Sequence, residues 1–200
     1  MTHLYATPKA LREAFDRFTG FSPLGQGGEG AVFSVWDLVR KAEVAFKLMR
    51  DSGEADLRDR FEREYGILAS SRSPRLVRVY DYGQAEVRMP DGSVAGHYWY
   101  TMEMCDSSVR KNLPGFNLTQ RVEVGLQMLD GLAYLHAQGI AHRDIKPENL
   151  FLVKGTQVKI GDFGLARAST PAGSGMGMVM GSPPYLAPER WTGRCRRWTR

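Results

Sequence analysis

The stretch His142-Arg143-Asp144-Ile145-Lys146-Pro147-Glu148-Asn149, followed after twelve residues by Asp162-Phe163-Gly164, decides how this chain is read. It sets two carboxylates, an amide and a lysine around one point. Transfer of a phosphoryl group from Mg-ATP needs that set of groups, because the transferred group asks a protein for positioning and charge neutralisation rather than covalent chemistry. A lone His-Arg-Asp would be a loop with a turn-forming aspartate. Lys146, Asn149 and Asp162 at their offsets raise it above chance.

The string resembles the catalytic loop and the magnesium loop of eukaryotic-type protein kinases. That resemblance implies that Asp144 accepts or orients the proton of the attacking hydroxyl, that Asn149 and Asp162 hold Mg2+, and that Lys146 sits near the γ-phosphate of ATP. It also implies an α+β, two-lobed fold, with an N-terminal β-sheet lobe carrying one helix and a C-terminal helical lobe.

Gly25-Gln26-Gly27-Gly28-Glu29-Gly30-Ala31-Val32 fits the glycine-rich loop of the same family, whose bare backbone approaches phosphates closely. A dinucleotide-binding fold is the rival for such glycines, and it needs a helix directly after them. Here Val32, Phe33, Val35 and Trp36 follow, a β-branched and aromatic run that reads as a strand. A strand, glycine loop and strand is the kinase arrangement, and Leu24 falls in the ATP site by the same resemblance.

Val44-Ala45-Phe46-Lys47 matches the strand-lysine motif. Side chains alternate along a strand, so Ala45 and Lys47 share a face and Phe46 takes the other. Ala45 and Val32 would then cover adenine, Lys47 would reach the α- and β-phosphates, and by resemblance Phe151 would close the site from below. Lys47 needs a glutamate on the next helix. At about 100° per residue, Leu57, Phe61, Tyr65 and Leu68 fall in a stripe roughly 80° wide. Glu64 lies near the middle of that stripe, and Glu62 points about 100° from its centre. A glutamate on an apolar face needs a partner. Glu64 is therefore the expected mate of Lys47, and Glu62 a solvated residue.

Two hundred residues, 42% of them hydrophobic, can build a sizeable core. No apolar run is long enough to span a bilayer, and the N-terminus lacks the basic-then-apolar order of a signal peptide. It reads instead as a short helix: Thr7 as cap, Pro8 at the first position, then Leu11, Phe15 and Phe18 on one face. Cys105 and Cys195 make neither a disulfide framework nor a zinc site, and the four histidines show no ligand spacing. The chain reads as soluble and cytoplasmic.

A coarse pass gives strands over about 21–49, a helix near 54–70, and strands near 76–104 with a turn at Pro90-Asp91-Gly92. Thr101-Met102-Glu103-Met104-Cys105-Asp106 looks like the hinge between lobes. Met102 would guard the back of the ATP pocket, and backbone groups of Glu103 and Cys105 would meet the adenine edge. Residues 119–138 read as a largely buried helix opened by Thr119 and closed by Gly139. The Gly-, Ser- and Met-rich tract 169–181 stands in the place of the activation segment, before Ala187-Pro188-Glu189. Ser169, Thr170 and Ser174 are candidate phosphosites there, and a phosphate could pair with Arg143. Gly181-Ser182-Pro183-Pro184-Tyr185-Leu186 resembles the segment that presents a protein substrate in serine/threonine kinases, with Ser182 read as structural. Lys146 points to serine or threonine as acceptor, since tyrosine kinases usually carry a different catalytic loop. The substrate segment also disfavours a small-molecule kinase.

The expected organisation is a helix within 1–18, an N-lobe over 19–102, an incomplete C-lobe over 103–189, and a tail over 190–200. The family continues past Ala-Pro-Glu with several more helices. The face of helix 119–138 that they cover is therefore expected to be exposed. The last eleven residues hold five arginines (190, 194, 196, 197 and 200) and no acid. Without them 22 basic residues face 22 acidic ones, so the whole net charge of +5 comes from this tail. With Trp191 and Trp198 it could bind nucleic acid or anionic lipid. Lacking a helical period or a binding motif, it reads instead as a foreign end, and no nucleic-acid partner is expected. Two function classes stand: an ATP-dependent serine/threonine protein kinase acting on protein substrates, and a kinase-like fragment that serves as an ATP-binding or interaction module without catalysis. Compact loops suggest a bacterial kinase of the eukaryotic-like type.

Overall fold

Runs rich in β-branched, aromatic and other apolar residues in the first half of the chain form an antiparallel sheet. The computed structural model describes residues 7–27, 30–49, 55–89, 91–168 and 182–186. Helix α1 (Pro8–Ala14) opens with Thr7 Oγ1 accepting from the Ala10 amide at 3.2 Å, with proline in the first turn, where its missing N–H is harmless. Phe15 and Phe18 lie beyond this helix. There follow β1 (Phe18–Gln26), β2 (Gly30–Asp37), β3 (Ala42–Met49), α2 (Ala55–Ser70), β4 (Val79–Arg88) and β5 (Val94–Glu103). The sheet order is β1-β2-β3-β5-β4, all neighbours antiparallel. The stretch from Thr101 to Asp106 thus begins as the end of β5. Asp91 and Gly92 turn the chain between β4 and β5, with Gly92 at φ +87°, and Pro90 lies outside the described residues.

The chain divides into two compact units. The first takes in the residues up to Arg72 together with Val77–Asp106. Its sheet is buried on both faces. On one face Phe46 and Leu48 join Leu11, Phe15, Phe18, Phe21, Phe33, Val35 and Val87 in a single cluster. On the other, Met49 and Tyr100 pack against Phe61 of α2, with Tyr65 and Tyr82 beside them. Period-2 alternation along β3 creates this division. The register sets Val32 opposite Lys47 and Ser34 opposite Ala45.

The second unit comprises Ser73–Leu76 and the residues from Ser107 onward. It contains β6 (Ser107–Ser108), α3 (Val109–Asn112), α4 (Leu118–Ala137), β7 (Ile140–Ala141), β8 (Leu150–Val153), β9 (Gln157–Ile160) and β10 (Arg167–Ala168). Sheets β6-β8-β9 and β10-β7 are small. A short segment from far upstream completes this unit: Ile160 N donates to Arg75 O at 2.8 Å, and Arg75 binds Gln127 and Asp130 of α4 at 2.6 and 3.0 Å. At Gly131 a Cβ would stand 2.8 Å from Ile160 Cδ1, so a larger residue there would have to push the Ile160 side chain aside.

Two expectations for α4 need correction. It is capped by Asn117, not Thr119: Asn117 Oδ1 accepts from the Gln120 amide and Gln120 Oε1 from the Asn117 amide, both at 2.9 Å. This reciprocal capping box satisfies two N-terminal donors and outcompetes a cap two residues on. Nor is α4 largely buried. Only Gly131 and Leu135 are fully so, while Leu118, Val122, Leu126 and Leu129 are 77%, 51%, 62% and 57% exposed. Their spacing places them on one stripe.

Candidate active site

Asp144 is the centre of the groups gathered in the second unit. Its Oδ2 accepts from Lys146 Nζ at 2.7 Å and from Asn149 Nδ2 at 3.0 Å, and its Oδ1 accepts from the Ser182 amide at 3.1 Å. Lys146 Nζ also donates to Ser182 Oγ at 2.8 Å. Burial alone would raise the Asp144 pKa. The hydrogen bond and charge of Lys146, with the Ser182 contacts, outweigh it and hold the carboxyl below its ordinary range. Lys146 is correspondingly raised: burial works against its charge, and Asp144 more than offsets that.

The Asp144 loop is fastened to the Asp162 segment by His142 and Asn149. His142 is fully buried. Its Nδ1 accepts from the Asp144 amide at 3.3 Å and its Nε2 faces Gly161 O at 3.1 Å. An imidazole that accepts on one nitrogen and donates from the other is neutral, and burial lowers the His142 pKa accordingly. The Phe163 ring, also buried, lies 4.6 Å from the imidazole, and Gly161 N donates to Asn149 O at 3.0 Å. Arg143 and Asp162 both adopt positive φ, +70° and +59°. Non-glycine residues in that region are uncommon and concentrate where surrounding structure enforces them, as at functional sites.

Asn149 donates from Nδ2 to both the backbone and the side chain of Asp144, so its amide oxygen is the end turned away. With Asp162 it offers hard oxygen donors, which suit Mg2+, a cation that takes few protein carboxylates. The residues present fit that metal. Phe151 is half-buried on β8, opposite Lys159 of β9.

In the first unit Lys47 Nζ meets Glu64 Oε2 at 2.5 Å, with side chains 10% and 1% exposed. The Phe61 and Tyr100 rings flank the ammonium at 5.9 and 5.7 Å. Glu62 is exposed, beside Arg58 and 3.4 Å from the Tyr82 hydroxyl. The helical stripe of α2 thus delivers Glu64, and not Glu62, to the lysine. Ala45 is buried beside Met102 of β5, its cross-strand neighbour, while Val32 is half-buried and Leu24 exposed. The Glu103 amide donates to Arg78 O at 2.8 Å, and Cys105 follows β5 half-buried.

The glycines of the first loop differ from one another. A Cβ on Gly25 or Gly27 would meet open space, whereas one on Gly30 would stand 2.1 Å from Leu48 O. The β2–β3 hairpin itself therefore demands glycine at 30. Gly27 N donates to Gly30 O at 2.9 Å, closing the turn, while Gly28 and Glu29 lie outside the described residues. Ser169, Thr170, Ser174, Gly181, Ala187-Pro188-Glu189 and the arginine tail also lie outside them.

The protein kinase domain family matches residues 18–197. The chain belongs to the protein kinase family. Serine/threonine-protein kinase pkn2 of Myxococcus xanthus is 34% identical over 88% of this chain and 22% of its own length. Serine/threonine-protein kinase PknD of Mycobacterium tuberculosis is 34% identical over 85% of the chain and 25% of its own length. A probable serine/threonine-protein kinase of Streptomyces coelicolor is 36% identical, with 85% and 26% covered. The chain therefore spans about a quarter of the length of these bacterial relatives.

Two residues of this kinase-type site were not singled out from sequence for the contacts they make. Ser182, read as structural, binds both Asp144 and Lys146. Its 36-residue separation from Lys146 left no local signal. His142 stood inside the quoted motif, but its inward burial and double hydrogen bond are products of packing. Among the described residues, no helix is long and apolar enough to cross a membrane.

Proposed function

We propose that this chain is an ATP-dependent serine/threonine protein kinase that transfers the γ-phosphoryl group of Mg-ATP to hydroxyls of protein substrates. The observation that carries the reading is the Asp144 cluster, in which an ionised carboxylate is held by Lys146, Asn149 and Ser182. A carboxylate with a lowered pKa is a weak base, so Asp144 orients the acceptor hydroxyl and takes its proton late, as a loose phosphoryl-transfer transition state allows. Lys146 balances charge near the transferred group. Lys47, oriented by Glu64, binds the α- and β-phosphates. Gly25 and Gly27 let the backbone approach them, with Gly30 shaping the loop. Leu24, Val32 and Ala45 cover adenine, Met102 backs it, and Glu103 and Cys105 meet the adenine edge through their backbones. Asn149 and Asp162 would hold Mg2+, which supplies neutralisation of phosphate charge when bound. The reaction belongs in the cytoplasm, where ATP is available. Ser169, Thr170 and Ser174 are proposed as phosphosites, with Arg143 as the partner of the added charge.

A second reading, a non-catalytic interaction module, is favoured by the exposed stripe Leu118, Val122, Leu126 and Leu129, since such a face invites a partner. One pair of measurements separates the two. The kinase reading expects a Mg-ATP-dependent rise in Tm together with phosphate transfer to a basic test protein. It also expects Asp144→Asn to abolish transfer while keeping the Tm rise. Transfer retained by Asp144→Asn removes Asp144 from its role, and a wild-type chain that neither shifts nor transfers favours the module.

A further inference from the structure

We propose that Phe15, which precedes the matched kinase domain, is a positioning residue for Lys47 and acts through Phe46 on the opposite face of β3. The inference rests on the phosphate-binding role proposed above for Lys47.

Phe46 and Lys47 are consecutive, so their side chains leave β3 in opposite directions. On its own side Phe46 is enclosed by aromatic rings. Trp99 stacks on it at 5.3 Å with planes 13° apart, and Phe18 and Phe21 meet it edge-on at 5.2 and 5.5 Å. Those three rings belong to strands of the same sheet. Phe15 is the ring from outside the sheet, and it meets Phe46 at 5.0 Å and Trp99 at 5.5 Å, edge-on to both. It therefore closes the set from above.

Arg17 fixes that closure in place. Its guanidinium holds the buried Asp37 of β2 through Nε–Oδ1 and Nη2–Oδ2 contacts of 2.9 and 2.7 Å. The same Nη2 reaches Asp81 of β4 at 2.8 Å. The joint between α1 and β1 is thus pinned to two strands, and the Phe15 ring has little freedom to follow a moving Phe46.

Packed interiors relax only partly around a void, and the chain lining it moves toward it. A void above Phe46 draws β3 toward that face and pulls Lys47 away from Glu64. The pair is 2.5 Å apart, so a displacement of about 1 Å leaves hydrogen-bond range. Misplacements of that size can change a rate on the order of 100-fold.

The test measures Kd for Mg-ATP, and KM for ATP and for a protein substrate, well below each variant's Tm. Phe15→Ala is expected to raise Kd and KM for ATP about ten-fold while leaving KM for the protein substrate unchanged. Phe15→Leu, which refills most of the volume, is expected to restore most of that loss, to within about three-fold of wild type. Val87→Ala is the control: Val87 is fully buried in the same cluster on β4. It is expected to lower Tm and leave Kd unchanged, as Phe15→Ala would if Phe15 were merely part of the core. In a Lys47→Met background Phe15→Ala should add nothing. A folded Phe15→Ala with wild-type Kd, or a Val87→Ala that weakens ATP equally, overturns the proposal while leaving the kinase reading intact. Should Phe15→Ala not fold, Phe15→Leu is set against Val87→Ala, and a Phe15→Leu with wild-type Kd overturns it. A wild-type chain that binds no Mg-ATP overturns the kinase reading and this inference with it.

Discussion

Glu64→Gln keeps the shape of the side chain and removes its charge, leaving Lys47 in a site where its side chain is only 10% exposed. Breaking a buried ion pair by removing one partner costs about 3–5 kcal/mol, because the remaining charge is stranded. Some of that loss is offset. Glutamine retains an acceptor oxygen, while the attraction of the Phe61 and Tyr100 faces at 5.9 and 5.7 Å is common to both proteins and cancels. The net destabilisation is therefore about 2–4 kcal/mol, concentrated in the first unit. Amide hydrogen exchange reads it locally: the amides of β3 and α2 should exchange roughly 30- to 1000-fold faster, at about 1.4 kcal/mol per decade. Glu62→Gln, on the exposed face, should change the same amides by no more than about two-fold. Comparable acceleration in both variants, or less than about five-fold in Glu64→Gln, would refute the claim that this pair is buried and selective.

Gly30→Ala drives a methyl into Leu48 O and should cost several kcal/mol in a urea titration. Gly25→Ala should leave stability within about 0.5 kcal/mol and weaken Mg-ATP binding, and similar Tm losses for both would contradict the steric reading. His142 is held neutral with its pKa lowered, so the unfolded chain binds the proton more readily. Its contribution is intact above about pH 6.5 and is lost as pH falls below that, by at most about 1.4 kcal/mol per pH unit. Melting curves between pH 7.5 and 5 should therefore slope less in His142→Asn than in wild type, and equal slopes would remove His142 from this account. Ser182→Ala removes the Lys146 contact but keeps the backbone bond to Asp144, and should lower kcat about ten-fold. Ser182→Thr, which keeps the hydroxyl, should restore it, and a kcat unchanged in Ser182→Ala would make the hydroxyl a bystander.

What the sequence determined by itself lies within a few residues of chain or within one helix. Asp144, Lys146 and Asn149 share a single loop, so their spacing already implied one place of action. The 100° step of α2 distinguished Glu64 from Glu62 because a regular helix converts spacing into direction. Alternation along β3 likewise separated Phe46 from Lys47. The Asn117–Gln120 capping box was equally local, and its Asn-x-x-Gln spacing could have replaced Thr119 as the start of α4.

Tertiary structure decided what depends on chain segments far apart. Ser182 reaches back to Asp144 and Lys146 across the intervening chain. Ser73–Leu76, which lies between α2 and β4 in sequence, pairs with Ile160 and holds α4. Phe15 finds Phe46, and Arg17 finds Asp37 and Asp81, only once the sheet has formed. Burial decides the remaining cases. The apolar residues of α4 looked like core because composition records hydrophobicity but not which neighbours cover it. Gly30 looked like a place for phosphate approach until the hairpin showed a carbonyl where its Cβ would be. Local pattern fixes direction and chemistry, whereas coverage and long-range contact follow from how distant segments fill the same space.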